Sequence, residues 1–116
     1  MLQAENISKR YGGVQALNAV ELIVNAGEVH AVVGENGAGK STLIKILGGV
    51  ERRDEGTVLI DGELKECPDP KAAFEDGIAV IHQELSMLPH MNVIENIYMG
   101  KMKNRWGVID WKTLEE

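Results

Sequence analysis

An α/β fold is predicted by three features of this 116-residue sequence. Short apolar runs at 29–33 and 78–81 suit strands buried on both faces. A glycine-rich loop joins the first of these runs to a stretch with helical spacing, and alternating segments near the start suit an antiparallel pair.

Leu2, Ala4 and Asn6 alternate with Gln3, Glu5 and Ile7, so a first strand covers residues 2–8, although neither parity is cleanly polar. Tyr11-Gly12-Gly13 reads as a turn. Residues 17–24 form a second strand with Val20, Leu22 and Val24 on one parity, closed by Asn25-Ala26-Gly27; the two strands make a hairpin-like edge. The 29–33 run, bounded by Gly27 and Gly34, is the next strand. Residues 41–48 present Leu43, Ile44, Ile46 and Leu47 as an apolar helix face that Gly48 and Gly49 end. The mixed-charge run 51–55 reads as a solvated loop, and residues 57–60 as a strand stopped by a reverse turn at Asp61-Gly62. Asp69 and Pro70 match the N-cap and first residue of a helix that Gly77 terminates. The 78–81 strand then places Gln83 and Glu84 near its C-terminal end, where open α/β sheets hold ligand-contacting groups. A helix over 92–99 presents Val93, Ile94, Ile97 and Tyr98. After Gly100 and a basic stretch at 101–105, residues 110–116 open another helix.

Gly34-Glu35-Asn36-Gly37-Ala38-Gly39-Lys40-Ser41 satisfies the P-loop pattern, two glycines enclosing four residues and then Lys and Ser. Such a loop turns successive N–H groups inward around phosphate oxygens. That is easiest where no Cβ intrudes, and Gly34, Gly37 and Gly39 supply the freedom with Asn36 and Ala38 among them. The following helix aims its positive end at the same point, which contributes about 0.3 to 1 kcal/mol at an exposed site. Lys40 is the natural partner of β and γ phosphates, Ser41 of magnesium, and Thr42 of the region near the α phosphate. A chain this long matches the bare pattern by chance roughly once in a few hundred tries, and periodicity points to the flanking strand and helix independently of the motif.

Composition narrows the surroundings. With 44% hydrophobic and 26% charged residues the chain is globular rather than disordered, and 4% aromatics make its core aliphatic. A net charge of −6 gives no general attraction for nucleic acid or an anionic membrane, so a phosphate must be held locally against the overall field. The single Cys67 cannot form an internal disulfide, and no apolar run is long enough for a membrane helix, so the cytoplasm is the expected compartment. Val58-Leu59-Ile60-Asp61 imitates the strand and Asp that hold magnesium in many P-loop proteins, but Gly62 makes Asp61 a turn residue instead; Asp110 is a weaker imitation. His30 reads as a packed strand histidine. His82 and His90 are not spaced with Cys67 as a metal cluster, and Met87, Met91, Met99, Met102, Trp106 and Trp111 read as packing residues.

Taken together, the motifs resemble the nucleotide-binding domain of ABC ATPases, in particular the ATP-binding subunits of bacterial monosaccharide importers of the ribose and galactose type. The resemblance runs from Ile7 to about Glu116. It rests on Gly27-Glu28-Val29-His30-Ala31 leading into residues 34–42, on Gly56-Thr57-Val58 before Asp61-Gly62, on Ala79-Val80-Ile81-His82-Gln83-Glu84-Leu85, and on Glu95-Asn96-Ile97 near Gly100. It implies an incomplete P-loop nucleoside triphosphate hydrolase fold with an antiparallel N-terminal β region. Residues 1–116 would be part of the first nucleotide-binding domain, with 101–116 entering its helical subdomain. The implied ligands are ATP and Mg2+. Tyr11 would stack on adenine, with Val14 and Ala16 or Leu17 beside it, and Gln83 would contact magnesium and help position the attacking water. Lys40 and Gln83 are then the catalytic candidates, and Ser41 and Gln83 the metal ligands.

The implied partners are the remainder of the ABC ATPase chain, transmembrane permease subunits at the inner face of the cell membrane, and a second nucleotide-binding domain, with no nucleic acid. The family's Leu-Ser-Gly-Gly-Gln signature, its Asp-Glu strand and its switch histidine have no counterpart within residues 1–116, so binding is expected of this chain and turnover is not. Central strands that would cover 29–33 and 78–81 are also without counterpart, which implies an uncovered edge, marginal stability or self-association. Two alternatives stand beside this reading: a non-catalytic nucleotide-binding or assembly fragment, and a cytosolic ABC-type ATPase acting on nucleic acid, which the acidic balance disfavours.

Overall fold

The computed structural model describes residues 1–81 and 87–99 and the backbone of 104–105 and 108–109. The chain divides into two units, Met1–Ile81 and His82–Glu116.

In the first unit, strands β1 (Leu2–Tyr11), β2 (Val14–Val24), β3 (Glu55–Ile60) and β4 (Glu63–Lys65) form one sheet in the order β2-β1-β3-β4, every neighbouring pair antiparallel. Gly12-Gly13 alone makes the first turn. Tyr11 is therefore the last residue of β1, paired with Val14, rather than part of the turn.

The unclean alternation of the first strand has a physical cause. Ala4 pairs with Leu22 but Ile7 pairs with Val20, so β1 carries an extra residue, and Asn6 takes a left-handed φ of 52°. This bulge switches the inward parity, and Ala4 before it and Ile7 after it are both fully buried. A second irregularity, with Ala19 at φ 48°, brings Leu17 inward alongside Val20 and Leu22. Gly56 of β3 lies opposite the first bulge at φ 94°, and a Cβ there would fall 2.5 Å from the carbonyl oxygens of both Glu5 and Asn6.

Helix α1 (Lys40–Leu47) packs Leu43, Ile46 and Leu47 against Ala4, Ile7, Leu17 and Val58 to form the core. Each large aliphatic side chain buried there contributes about 1.5 to 3 kcal/mol. Ile44, expected on the same face, is exposed, because it sits at the edge of the arc that the other three define. α1 ends in a Schellman motif: Gly49, at φ 70°, donates to Ile46 O, and Val50 donates to Lys45 O at 2.8 Å.

The 51–55 run is not simply a wet loop. Lys9, only 8% exposed, donates to Arg52 O at 2.6 Å and to Asp54 Oδ1 at 3.1 Å, and pairs with Glu51 at 3.0 Å. Arg53 donates to Gly56 O and to the Glu66 carbonyl and carboxylate. Asp61 and Gly62 take φ of 51° and 83°, a two-residue hairpin turn of the primed kind, and the Asp61 carboxylate pairs with the Met1 amino group. Helix α2 (Pro70–Glu75) follows as expected, with the Asp69 side chain accepting from Ala72 N at 2.9 Å and Gly77 at φ 92° closing it.

The runs at 29–33 and 78–81 are not strands. A strand is defined by its neighbour's hydrogen bonds, and among the described residues neither run has a neighbour to pair with. Val29, Val33 and Ile81 are 99%, 88% and 98% exposed, as the expected uncovered edge requires. Val80 differs: its Cγ2 lies where a Cβ on Gly48 would be, 2.6 Å away, so it packs on the end of α1. His30 is likewise exposed rather than packed, with Nδ1 2.9 Å from the Glu28 carboxylate. That carboxylate also accepts from Asn25 N and Asn25 Nδ2, each at 2.8 Å. The Asn25 backbone bond is the main reason its pKa falls to about 2.

In the second unit, α3 (Val93–Ile97) is shorter than the expected 92–99 helix and starts in a capping box between Asn92 and Glu95. Asn96 accepts from Leu88 N and donates to the carbonyls of Leu88, Met91 and Asn92, holding the preceding turn. Strands β5 (Asn104–Arg105) and β6 (Val108–Ile109) form an antiparallel pair that the sequence reading did not include. Gln83, His82, Met102, Trp106, Trp111 and the helix expected at 110–116 lie outside the described residues.

Two outcomes follow for the first unit. Gly56→Ala should lower the urea midpoint by the equivalent of more than about 3 kcal/mol, because the new Cβ meets two carbonyls. Gly62→Ala, equally left-handed but in open space, should cost only about 1 kcal/mol. For Glu28, a lowered pKa means its contribution is present above pH 4.5 and is lost as pH falls toward 2. The Asn25 amide resonance should titrate with a midpoint near 2 rather than 4.5, and Glu28→Gln should abolish that titration.

Candidate phosphate-binding loop

The three glycines of the loop do different work. Gly37 needs its left-handed φ of 86° and has open space around it. Gly39, at φ 88°, caps α1 and presses on β2: a Cβ there would lie 2.6 Å from Ala16 O and 2.7 Å from Leu17 Cδ2. Gly34 has no positive φ; a Cβ there would instead crowd Ala38 Cβ at 3.2 Å. Ala38 N donates to Glu35 O at 3.2 Å, which tightens the turn that contains Asn36.

Because the N-cap is glycine, no side chain caps α1, and its first turn holds no acidic residue. The first-turn N–H groups, which a helix cannot satisfy internally, therefore face the loop mouth with the positive end of the helix dipole. Lys40 reaches back over that mouth, its Nζ donating to Gly34 O and Glu35 O at 2.6 Å each. Ser41 is exposed and Thr42 half-buried beside it. An anion arriving at the mouth would meet backbone donors, a hydroxyl and an ammonium that rests on carbonyls it can exchange for phosphate oxygens.

Tyr11, 44% exposed, stands at the end of β1. Desolvation and then the nearby Glu51 carboxylate push its phenol pKa up, while a hydrogen bond with the Thr42 hydroxyl opposes them. The ring faces the Lys9 ammonium, 5.4 Å from its centroid. Val14 lies exposed opposite it, whereas Leu17 is buried in the core and Ala16 backs the loop through its carbonyl. Sequence reasoning missed the bracing of Gly39 on Ala16 and Leu17, because no local pattern records a contact between residues so far apart in sequence. A concavity of about 500 Å3 lies elsewhere, against Glu51, Arg53, Asp54, Glu66 and Cys67, several of whose charges already pair with one another or with Lys9.

The model of the ABC transporter family matches residues 17–115. The chain is 49% identical over 108 residues to the ribose import ATP-binding protein RbsA of Chromobacterium violaceum, and 50% identical over 115 residues to the arabinose import ATP-binding protein AraG of Rhizobium johnstonii. These matches cover 93% and 99% of this chain but 22% and 23% of the relatives, so the chain spans little more than a fifth of their length. Among solved structures, a nucleotide-free ATP-binding cassette from an ABC transporter matches with a TM-score of 0.79 and 34% identity, over 98% of this chain and 44% of that one. A loop of this geometry, a family match over most of the chain and a shared cassette fold agree: the chain belongs to the ABC transporter family, and its fold is that of the P-loop ATP-binding cassette.

Proposed function

We propose that residues 34–42 bind the phosphates of MgATP, and that in the whole protein this site hydrolyses ATP to drive sugar import. The observation that carries the reading is the loop geometry: an uncapped helix N-terminus, two left-handed glycines and the Lys40 ammonium converge on one mouth. Half-identity to ATP-binding proteins of ribose and arabinose import supports the coupling to sugars.

Within this reading Lys40 neutralises charge on the β and γ phosphates, the backbone N–H groups from Gly37 to Ser41 cradle their oxygens, and Thr42 serves the α phosphate. Ser41 fits a magnesium ligand, being exposed at the loop mouth, and Gln83 is the second candidate. Among the described residues no group of three or more His, Cys, Asp or Glu side chains could cage a metal, so magnesium would share its coordination with phosphate oxygens. Bound there, the ion would neutralise charge as the terminal phosphate is transferred. Tyr11 offers its ring to adenine, which binds the base without reading it closely. Gln83 positions the attacking water.

Residues 1–116 are in this reading part of a nucleotide-binding domain, with 101–116 entering the helical subdomain. The exposure of Val29, Val33 and Ile81 supports strands from the remainder of the chain pairing there. The further partners are a second nucleotide-binding domain and transmembrane permease subunits, which would hold the protein at the inner face of the membrane. No helix among the described residues is long and apolar enough to cross it. The same exposed runs favour a second reading for the 116 residues alone, as a nucleotide-binding and assembly fragment that self-associates.

Calorimetric titration with MgATP tests the site. Lys40→Ala should weaken binding about tenfold or more, the loss of a charge-assisted contact, whereas Asp61→Ala should leave it unchanged because Asp61 serves a turn and the amino terminus. Undiminished binding by Lys40→Ala would overturn the assignment.

A further inference from the structure

We infer that Glu51 and Lys9 are positioning residues for the nucleobase, holding the Tyr11 ring in a fixed orientation at the rim of the phosphate loop before any ligand arrives. The inference rests on the nucleotide reading of residues 34–42 and adds to it a role for a charged cluster that lies outside the loop.

The cluster is built from fixed points. The Schellman turn after α1 delivers Glu51 with its own N–H on Lys45 O, so its backbone is held by the helix that carries the phosphate loop. Lys9 has three ammonium protons and three acceptors: Arg52 O at 2.6 Å, Glu51 Oε1 at 3.0 Å and Asp54 Oδ1 at 3.1 Å. Its nitrogen then stands 5.4 Å from the centroid of the Tyr11 ring, within cation–π range. Asp54 grips the strand on both sides of Lys9, its Oδ2 accepting from Arg10 N at 2.7 Å and its N–H donating to Ser8 O at 2.9 Å. Tyr11 is thus held two ways. Its backbone closes β1, and its ring faces the Lys9 ammonium, which Glu51 and Asp54 fix in place.

A ring already oriented loses less side-chain freedom when a base stacks on it, so the cluster should affect affinity for ligands with a base and not for bare phosphates. The experiment compares MgATP with magnesium tripolyphosphate as titrants of the chain and of Glu51→Ala, Glu51→Gln and Lys9→Met. Glu51→Ala should weaken ATP about three- to tenfold, the scale of one lost hydrogen bond on Lys9, and leave tripolyphosphate unchanged. Glu51→Gln, which keeps an acceptor for Lys9, should retain most of the affinity, and in the Lys9→Met background Glu51→Ala should cost little more. Equal losses for both titrants, or additive losses with Lys9→Met, would overturn the inference.

A second readout needs no ligand. The chain has two tyrosines, so Tyr98→Phe assigns the Tyr11 ring resonances in a tyrosine-labelled sample. They should shift and broaden in Glu51→Ala, and unchanged Tyr11 resonances would overturn the positioning role. If the unmodified chain bound neither titrant, the phosphate reading would fall and the nucleobase role with it, while the ring resonances would still decide whether Glu51 holds Tyr11.

Discussion

The seam where Leu43, Ile46 and Leu47 meet Ala4, Ile7, Leu17 and Val58 sets the direction of α1, and with it everything that happens at either end of that helix. Its N-terminus carries the glycine loop, and its C-terminus turns through Gly49 to deliver Glu51 toward β1. Without the seam an eight-residue helix would not hold in water, because nucleating so short a helix is unfavourable. The sheet is therefore part of the binding apparatus rather than a platform beneath it. Its contribution is most direct at Gly39, where the loop backbone touches the Ala16 carbonyl.

Electrostatics around the loop follow from that arrangement. The chain carries a net charge of −6, yet the mouth of the loop presents a helix N-terminus free of acidic residues and a lysine that rests on backbone carbonyls rather than on a carboxylate. An ion pair at Lys40 would have to be broken before phosphate could bind, whereas carbonyl contacts are exchanged at little cost. Beyond the C-terminal end of α1, Glu51 and Asp54 neutralise Lys9, which partial burial would otherwise penalise.

Much of this was legible in the sequence. The loop and helix over residues 34–47, the Asp69-Pro70 start of α2, the Asp61-Gly62 hairpin and the Asn92 start of α3 all depend on local chemistry, caps and turn residues that a short window contains. The chemistry of the phosphate loop was legible for the same reason. What local patterns could not give was pairing. The 29–33 and 78–81 runs have the composition of buried strands and lack a neighbour among the described residues, so Val29, Val33 and Ile81 lie in water. The 51–55 run looked like a solvated loop because its partners, Lys9 and Glu66, are distant in sequence. The first strand looked irregular because a bulge inside it changes which side chains face the core, and a strict two-residue period cannot describe such a strand.

That bulge also explains a glycine half the chain away. Gly56 lacks a side chain because the Glu5 and Asn6 carbonyls occupy the volume a side chain would fill, so the shape of one strand is recorded in the composition of another. The two positions make a single heritable unit. A hairpin grafted into this scaffold without its extra residue would orphan the glycine, and a β3 borrowed from a sheet with a regular neighbour would arrive with a side chain that has nowhere to go. Anyone recombining segments among relatives should place the crossover so that both positions come from the same parent.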